Sequence, residues 1–137
     1  MKSQTKLDPS HVDSWNALGN CFWKKGDLAQ AASCYEGALK QVIFTHTPQQ
    51  PYYFIQARSA ESLRNLSMLI RRRPAADARH RLSQCQESVS LAKEALSLDM
   101  GSTSSWYTLG TAHLCLYFAG QHMPDDLARA LKVANHP

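Results

Sequence analysis

One short pattern occurs twice in this chain, and it constrains the possible folds more than any other feature of the sequence. In each copy a Leu-Asp pair precedes a tryptophan, and a Leu-Gly pair follows it, first at Trp15 and again at Trp106. The two tryptophans lie 91 residues apart, whereas two helical repeats of about 34 residues would separate them by about 68. A third repeat, lengthened by insertions, is therefore predicted between them, with Leu63 in place of the tryptophan.

The residues around the first copy predict two short antiparallel helices. From Trp15 to Trp23, apolar residues recur at the three- and four-residue spacing of one helix face. Gly19 lies on that side and indicates close approach of a partner helix. Gly26 and Asp27 then supply a helix stop and an N-cap. In the second helix, a tyrosine between two alanines is predicted to fill the space between the helices.

Prolines set further helix boundaries. Pro48 and Pro51 require a loop or bend between Phe44 and Tyr52, and Pro74 should end the helix that precedes it. The predicted helices are residues 12–25, 28–43, 52–72, 77–98, 103–118 and 124–134.

The last copy of the pattern is less regular than the first. His113 takes the position of an aromatic residue and is interpreted as a substitution in the core. A small insertion is predicted from Phe118 to Met123, before a helix that Pro124 would start well.

The pattern resembles the tetratricopeptide repeat family. The first copy matches seven of the eight signature positions of that repeat, with Ile43 in place of the final proline. The resemblance implies an all-α fold, an α-solenoid of about six helices in antiparallel pairs with a right-handed superhelical course. It assigns one domain to residues 1–137, with repeats at about 12–45, 52–100 and 103–135. Because the pattern starts and ends partway through a repeat, we expect a fragment of a longer protein.

Three segments narrow the resemblance to one branch of that family. They are Leu66-Ser67-Met68 in the irregular repeat, Ser105-Trp106-Tyr107, and Leu116-Tyr117-Phe118. The resemblance implies a protein-protein interaction module without enzymatic activity or cofactors. The branch includes stress-response transcription cofactors and factors that recognise the N-terminus of nascent tubulin at the ribosome. The partners implied are the tubulin N-terminus, transcription cofactors and, for a full-length protein, the ribosome, in the cytoplasm and also the nucleus.

In such repeats the first helix of each pair lines a concave groove, which predicts the residues that bind a peptide. Asn16 and Asn20 could hydrogen bond to a peptide backbone, and Arg64 and Arg71 could pair with a carboxylate. By resemblance, Arg71 matches the arginine associated with tubulin recognition. The full predicted set is Asn16, Asn20, Lys24, Arg64, Met68, Arg71, Tyr107 and Thr111.

The distribution of charge leaves alternatives open. Residues 58–81 carry a net charge of +5, against +1 before them and −2 after them. An arginine-rich segment also suits RNA or the ribosome, or simply a solvated helix end. A generic co-chaperone adaptor, or a fragment with no partner of its own, would fit the same pattern. The alternative nucleic-acid residues are Arg71, Arg72, Arg73, Arg79 and Arg81.

Other classes of protein are disfavoured by composition and spacing. The 137 residues contain no apolar run of membrane-spanning length, so no membrane partner is predicted. The four cysteines form no zinc-ligand pattern and are interpreted as reduced thiols packed like small apolar residues. We expect no metal site, and oligomers could form through uncapped end faces of the repeat array.

Overall fold

A computed structural model describes residues 12–40, 42–47, 50–56, 59–121 and 124–135. Six α-helices and one β-hairpin account for most of this part of the chain, so the all-α class is confirmed with the hairpin as an addition. No helix in the described ranges is long and apolar enough to cross a membrane. The elements are α1 (Val12–Lys24), α2 (Leu28–Leu39), β1 (Val42–Thr47), β2 (Gln50–Gln56), α3 (Ala60–Arg72), α4 (Ala78–Leu98), α5 (Thr103–Leu116), a π-helical turn (Tyr117–Gln121) and α6 (Pro124–Ala134).

The chain divides into two compact units, one ending at Ser62 and the other beginning at Leu63. The division falls inside α3, near the start of the predicted middle repeat. The assignment of a single domain and the repeat boundaries therefore stay predictions.

Two predicted helix ends are wrong because a hairpin lies between them. The second helix was expected to reach residue 43 and the third to begin at residue 52, whereas α2 ends at Leu39 and α3 begins at Ala60. The intervening sequence is rich in β-branched and aromatic residues, which favour strands over helices. Local β-preference therefore overrides the helical repeat pattern in this insertion.

The hairpin contains a bulge next to a proline. Val42 pairs with Gln56 and Thr45 with Tyr53, but Thr47 pairs with Gln50. One residue of β1 thus faces Pro51 and its neighbour on β2. Since proline has no amide hydrogen to donate, an irregular position of this kind is where a strand tolerates it. Pro48 lies outside the described residues.

The first unit is built around Tyr35, as the sequence predicts. The Tyr35 side chain is fully buried, and Ala31 and Ala38 on the same helix are also fully buried. A Cβ atom added to Gly19 would lie 2.6 Å from Cε1 of Tyr35, so only glycine fits at this contact. Gly26 has a φ of 83°, and the Asp27 carboxylate caps α2. The predicted close approach, helix stop and N-cap are all confirmed.

Substituting Gly19 with alanine should destabilise the first unit. Overpacking against a buried ring costs about 1 to 3 kcal/mol, and the better helix propensity of alanine returns about 1 kcal/mol. We expect a net loss of about 1 kcal/mol, measured by urea unfolding followed by circular dichroism. Gly101→Ala is the matched control, because a Cβ atom there meets only Asp99 Oδ1 at 3.9 Å. Equal stability of the two variants would contradict the proposed contact.

In the second unit, α4 and α5 share an apolar core. Its members come from both helices, and Trp106 packs against them while its indole nitrogen donates to the Met100 carbonyl at 2.9 Å. His113 is buried, which confirms its interpretation as a core residue. The buried cluster is Cys85, Val89, Ala92, Leu96, Leu109, Ala112 and Leu116.

Helices α3 and α4 are joined by two buried serines. Ser67 Oγ donates to the Ser88 carbonyl at 2.8 Å, and Ser88 Oγ donates to the Ser67 carbonyl at 3.0 Å. Ser67 holds the position that is Gly19 in the first copy of the pattern and Gly110 in the last. Where the other copies have a glycine against the partner helix, Ser67 forms reciprocal hydrogen bonds with Ser88. These bonds satisfy the buried hydroxyl and carbonyl groups of both serines.

A π-helical turn occupies part of the small insertion predicted from Phe118 to Met123, and α5 ends at Leu116 rather than at residue 118. Tyr117–Gln121 continues α5 with a wider winding, and Gly120 has a φ of 119°, where glycine is favoured. The final helix begins at Pro124 as expected. Residues 122 and 123 lie outside the described part of the chain.

Candidate functional site

A cavity of about 270 Å³ lies between α3 and α5 in the second unit. Its α3 residues are spaced by three and four and its α5 residues by four, so each set occupies one helix face. Four members of the predicted peptide-binding set meet here, namely Met68, Arg71, Tyr107 and Thr111. The complete lining is Met68, Arg71, Arg72, Tyr107, Thr111 and Cys115.

Arg71 is one of two arginines that line the cavity, and it is half-buried. Its Nε donates to the Ser67 carbonyl at 3.4 Å, and its own carbonyl accepts from Nη1 of Arg81 at 2.6 Å. Burial lowers the pKa of Arg71, while Cys115, Cys85 and Tyr107 act in the opposite direction. An arginine stays protonated under ordinary conditions, so the cavity presents a partly desolvated cation to any bound group.

The other side of the cavity combines an aromatic ring with a hydroxyl group. Tyr107 is 68% exposed, which is unusual for a large aromatic residue on a packed helix. Thr111 Oγ1 donates to backbone carbonyls of its own helix, at Tyr107 and Thr108. The site can therefore offer a cation, a flat apolar surface and a hydroxyl oxygen within one concave surface.

Arg64 belongs to the same pair of helices but does not line the cavity. Its Nη1 donates to Ser105 Oγ at 3.0 Å. Since Ser105 is buried at the start of α5, this contact ties α3 to α5. Arg64 therefore has a structural role in this unit. Its part in peptide binding stays a prediction.

Two of the three predicted binding residues in the first unit form hydrogen bonds within that unit. Asn16 is only 2% exposed, and its Oδ1 accepts from Ser62 Oγ at 2.7 Å. Asn20 Oδ1 accepts from the Tyr35 hydroxyl at 2.7 Å, whereas Lys24 is exposed. The Nδ2 of Asn16 has no hydrogen-bond partner among the described residues. Asn16 is thus closed to a peptide in this structure, and sequence spacing gave no indication of its burial.

The five arginines of the nucleic-acid alternative do not share one environment. Arg72 and Arg79 are exposed, and Arg73 is half-buried. Arg81 instead directs its guanidinium to the Arg71 carbonyl and to Cys115 Sγ, the latter at 3.9 Å. Arg71 and Arg81 are therefore held in intramolecular contacts, and the five residues do not present a uniform basic surface.

The four cysteines differ in burial. Cys34 and Cys85 are buried, as expected for thiols that pack like small apolar residues, but Cys21 is exposed and does not fit that interpretation. Burial raises the pKa of the Cys34 thiol. No cluster of metal-ligating side chains occurs in the parts of the chain that the structure describes. Sequence spacing gave no indication that Cys115 lies beside Cys85, because 30 residues separate them along the chain.

Comparison with known proteins supports the repeat assignment. The chain is 36% identical over 131 residues to tetratricopeptide repeat protein 5 of Homo sapiens, an alignment that covers 96% of this chain and 26% of the relative. The proteins of the same name from Mus musculus and Bos taurus give the same identity and coverage. The chain thus spans about a quarter of the length of these relatives. No protein-family model matches it.

Proposed function

Because this chain resembles one segment of tetratricopeptide repeat protein 5 over nearly its whole length, we propose that it is a protein-interaction module that binds a short acidic peptide. The cavity between α3 and α5 is the binding site in this proposal. The observation that carries it is that Met68, Arg71, Tyr107 and Thr111, all of which occupy groove positions of the repeat pattern, line one cavity.

The chemistry of the cavity favours a carboxylate side chain on the peptide. A guanidinium group with unused donors pairs strongly with a carboxylate, and partial burial strengthens this pairing relative to water. The exposed ring of Tyr107 would pack against an adjacent apolar peptide residue. The N-terminal segment of nascent tubulin, which carries acidic residues close to its start, is the specific ligand that we propose.

An arginine-to-alanine substitution tests this proposal directly. We expect Arg71→Ala to weaken binding of a labelled tubulin N-terminal peptide by about 10- to 100-fold, the equivalent of about 1.4 to 2.7 kcal/mol. Arg79→Ala is the matched control, since Arg79 is exposed on α4 and does not line the cavity. Fluorescence anisotropy at fixed salt measures both variants, and circular dichroism checks that each remains helical.

A second peptide tests whether Arg71 pairs with a carboxylate of the ligand. Changing the acidic peptide residues to their amides should weaken binding to the wild type but have little further effect on Arg71→Ala. Equal affinity of wild type and Arg71→Ala for the acidic peptide would remove Arg71 from the site. Binding of RNA that is independent of sequence and is lost between low and moderate salt would favour the nucleic-acid alternative instead.

A further inference from the structure

Two thiols from different helices meet beside the proposed peptide site. Cys85 on α4 and Cys115 on α5 have their sulfur atoms 3.0 Å apart, although 30 residues separate them in sequence. Both are free cysteines. Cys115 is half-buried and lines the cavity, whereas Cys85 is fully buried behind it. A small solute that enters the cavity therefore reaches Cys115 first.

The surroundings of this pair favour reaction at Cys115. Nη2 of Arg81 lies 3.9 Å from Cys115 Sγ, so a guanidinium group lies beside the sulfur that faces the cavity. Burial, followed by the hydrogen bond with Cys115, raises the pKa of Cys85 to about 12. Cys85 thus keeps its proton as a buried thiol, and the partly accessible Cys115 is the one placed to meet an oxidant.

We propose that Cys115 is a peroxide-sensitive modification site and that Cys85 resolves its oxidised form as a reversible disulfide. In the first step, the Cys115 thiolate attacks one oxygen of hydrogen peroxide, the O–O bond breaks, and a sulfenic acid and hydroxide are formed. In the second, Cys85 sulfur attacks Cys115 sulfur, and the sulfenic hydroxyl leaves as water with the Cys85 proton. Two thiols are thereby oxidised, and one peroxide is reduced to the level of water.

The position of Cys115 couples this chemistry to ligand binding, in a step that rests on the proposed function. A peptide that fills the cavity would cover Cys115, so the peptide should slow the reaction with peroxide. Oxidation without peptide does not depend on that assumption. The two parts of the proposal can therefore fail separately.

Disulfide mapping of the whole chain tests the first part. After treatment with hydrogen peroxide and blocking of remaining thiols, we expect the mass of the chain to fall by two hydrogens, with one linked pair of proteolytic fragments containing Cys85 and Cys115. A thiol reductant should restore the starting mass. Reaction confined to the exposed Cys21, or a link that involves any other cysteine, would overturn the proposal.

Variants separate the two cysteines. In Cys85→Ser the sulfenic acid at Cys115 should persist and react with dimedone, and in Cys115→Ser neither a linked pair nor a label at Cys85 should form. Cys34→Ser is the matched control, because Cys34 is a buried thiol in the other unit, and it should cross-link like the wild type.

Peptide protection tests the coupling of this chemistry to ligand binding. Saturating tubulin peptide should slow labelling of Cys115 at least several-fold, and an unchanged rate would refute protection by the ligand.

Discussion

Replacing Tyr35 with alanine should lower the free energy of unfolding by about 3 to 5 kcal/mol, the range for loss of a large buried aromatic side chain. The Tyr35 ring is fully buried and lies edge-on to Trp23 with centroids 6.2 Å apart. Removing it would leave a cavity beside Gly19, which has no side chain to fill the space. Urea unfolding monitored by circular dichroism measures this loss.

Two further variants separate the ring from its hydroxyl group. Tyr35→Phe keeps the packing and removes only the hydrogen bond to Asn20, so a loss of about 1 kcal/mol is expected. Tyr107→Ala removes an exposed ring and should leave stability nearly unchanged. If Tyr35→Ala were no less stable than Tyr107→Ala, the result would contradict the packing of the Tyr35 ring between α1 and α2.

The protein should also lose stability steeply as the pH rises above about 9. Burial, with smaller effects of Cys34 and Glu61, raises the pKa of Tyr35 from 10 to about 12, and the pKa of Cys85 rises from 9 to about 12. In the unfolded chain both groups would release their protons at ordinary values. Because the folded pKa is the higher one, their contribution is complete below the unfolded pKa and disappears as the pH approaches 12.

Each pKa unit corresponds to about 1.4 kcal/mol, so Tyr35 alone contributes on the order of 2 to 3 kcal/mol over this range. Urea midpoints measured from pH 8 to pH 11.5 should fall, and Tyr35→Phe should make the fall shallower. A combined Tyr35→Phe and Cys85→Ser variant should flatten the curve further. A wild-type midpoint that stays constant across this range would contradict the described burial of both groups.

Most of the helical framework follows from the sequence, and the failures have local causes. Some residues act through backbone conformation or a nearby hydrogen bond, so their effects can be predicted without a structure. These residues are Gly26, Asp27, Pro74 and Pro124. The hairpin was not predicted because the helical patterns were extended to residue 43 and from residue 52, and the prolines between them indicated only a loop or bend. Ser67 holds the glycine position of the pattern, but its bonds with Ser88 depend on packing between two helices.

The candidate site shows the same limit. Repeat positions led to Met68, Arg71, Tyr107 and Thr111, since helical spacing determines which residues share a face. Spacing does not reveal burial by a distant residue, as the bond from Ser62 to Asn16 illustrates. The closeness of Cys115 to Cys85 could not be predicted either, since it arises only when α4 packs on α5.

The paired ends of the hairpin bear on how such chains change length during evolution. Val42 and Gln56 are direct partners in the ladder, so the backbone returns to within about 5 Å of the point where it left. An insertion whose two ends lie side by side can be acquired, shortened or lost without moving the points of the backbone that it joins. This segment is accordingly where we expect lineages to differ most in length, and where a foreign sequence could be grafted with the least disturbance.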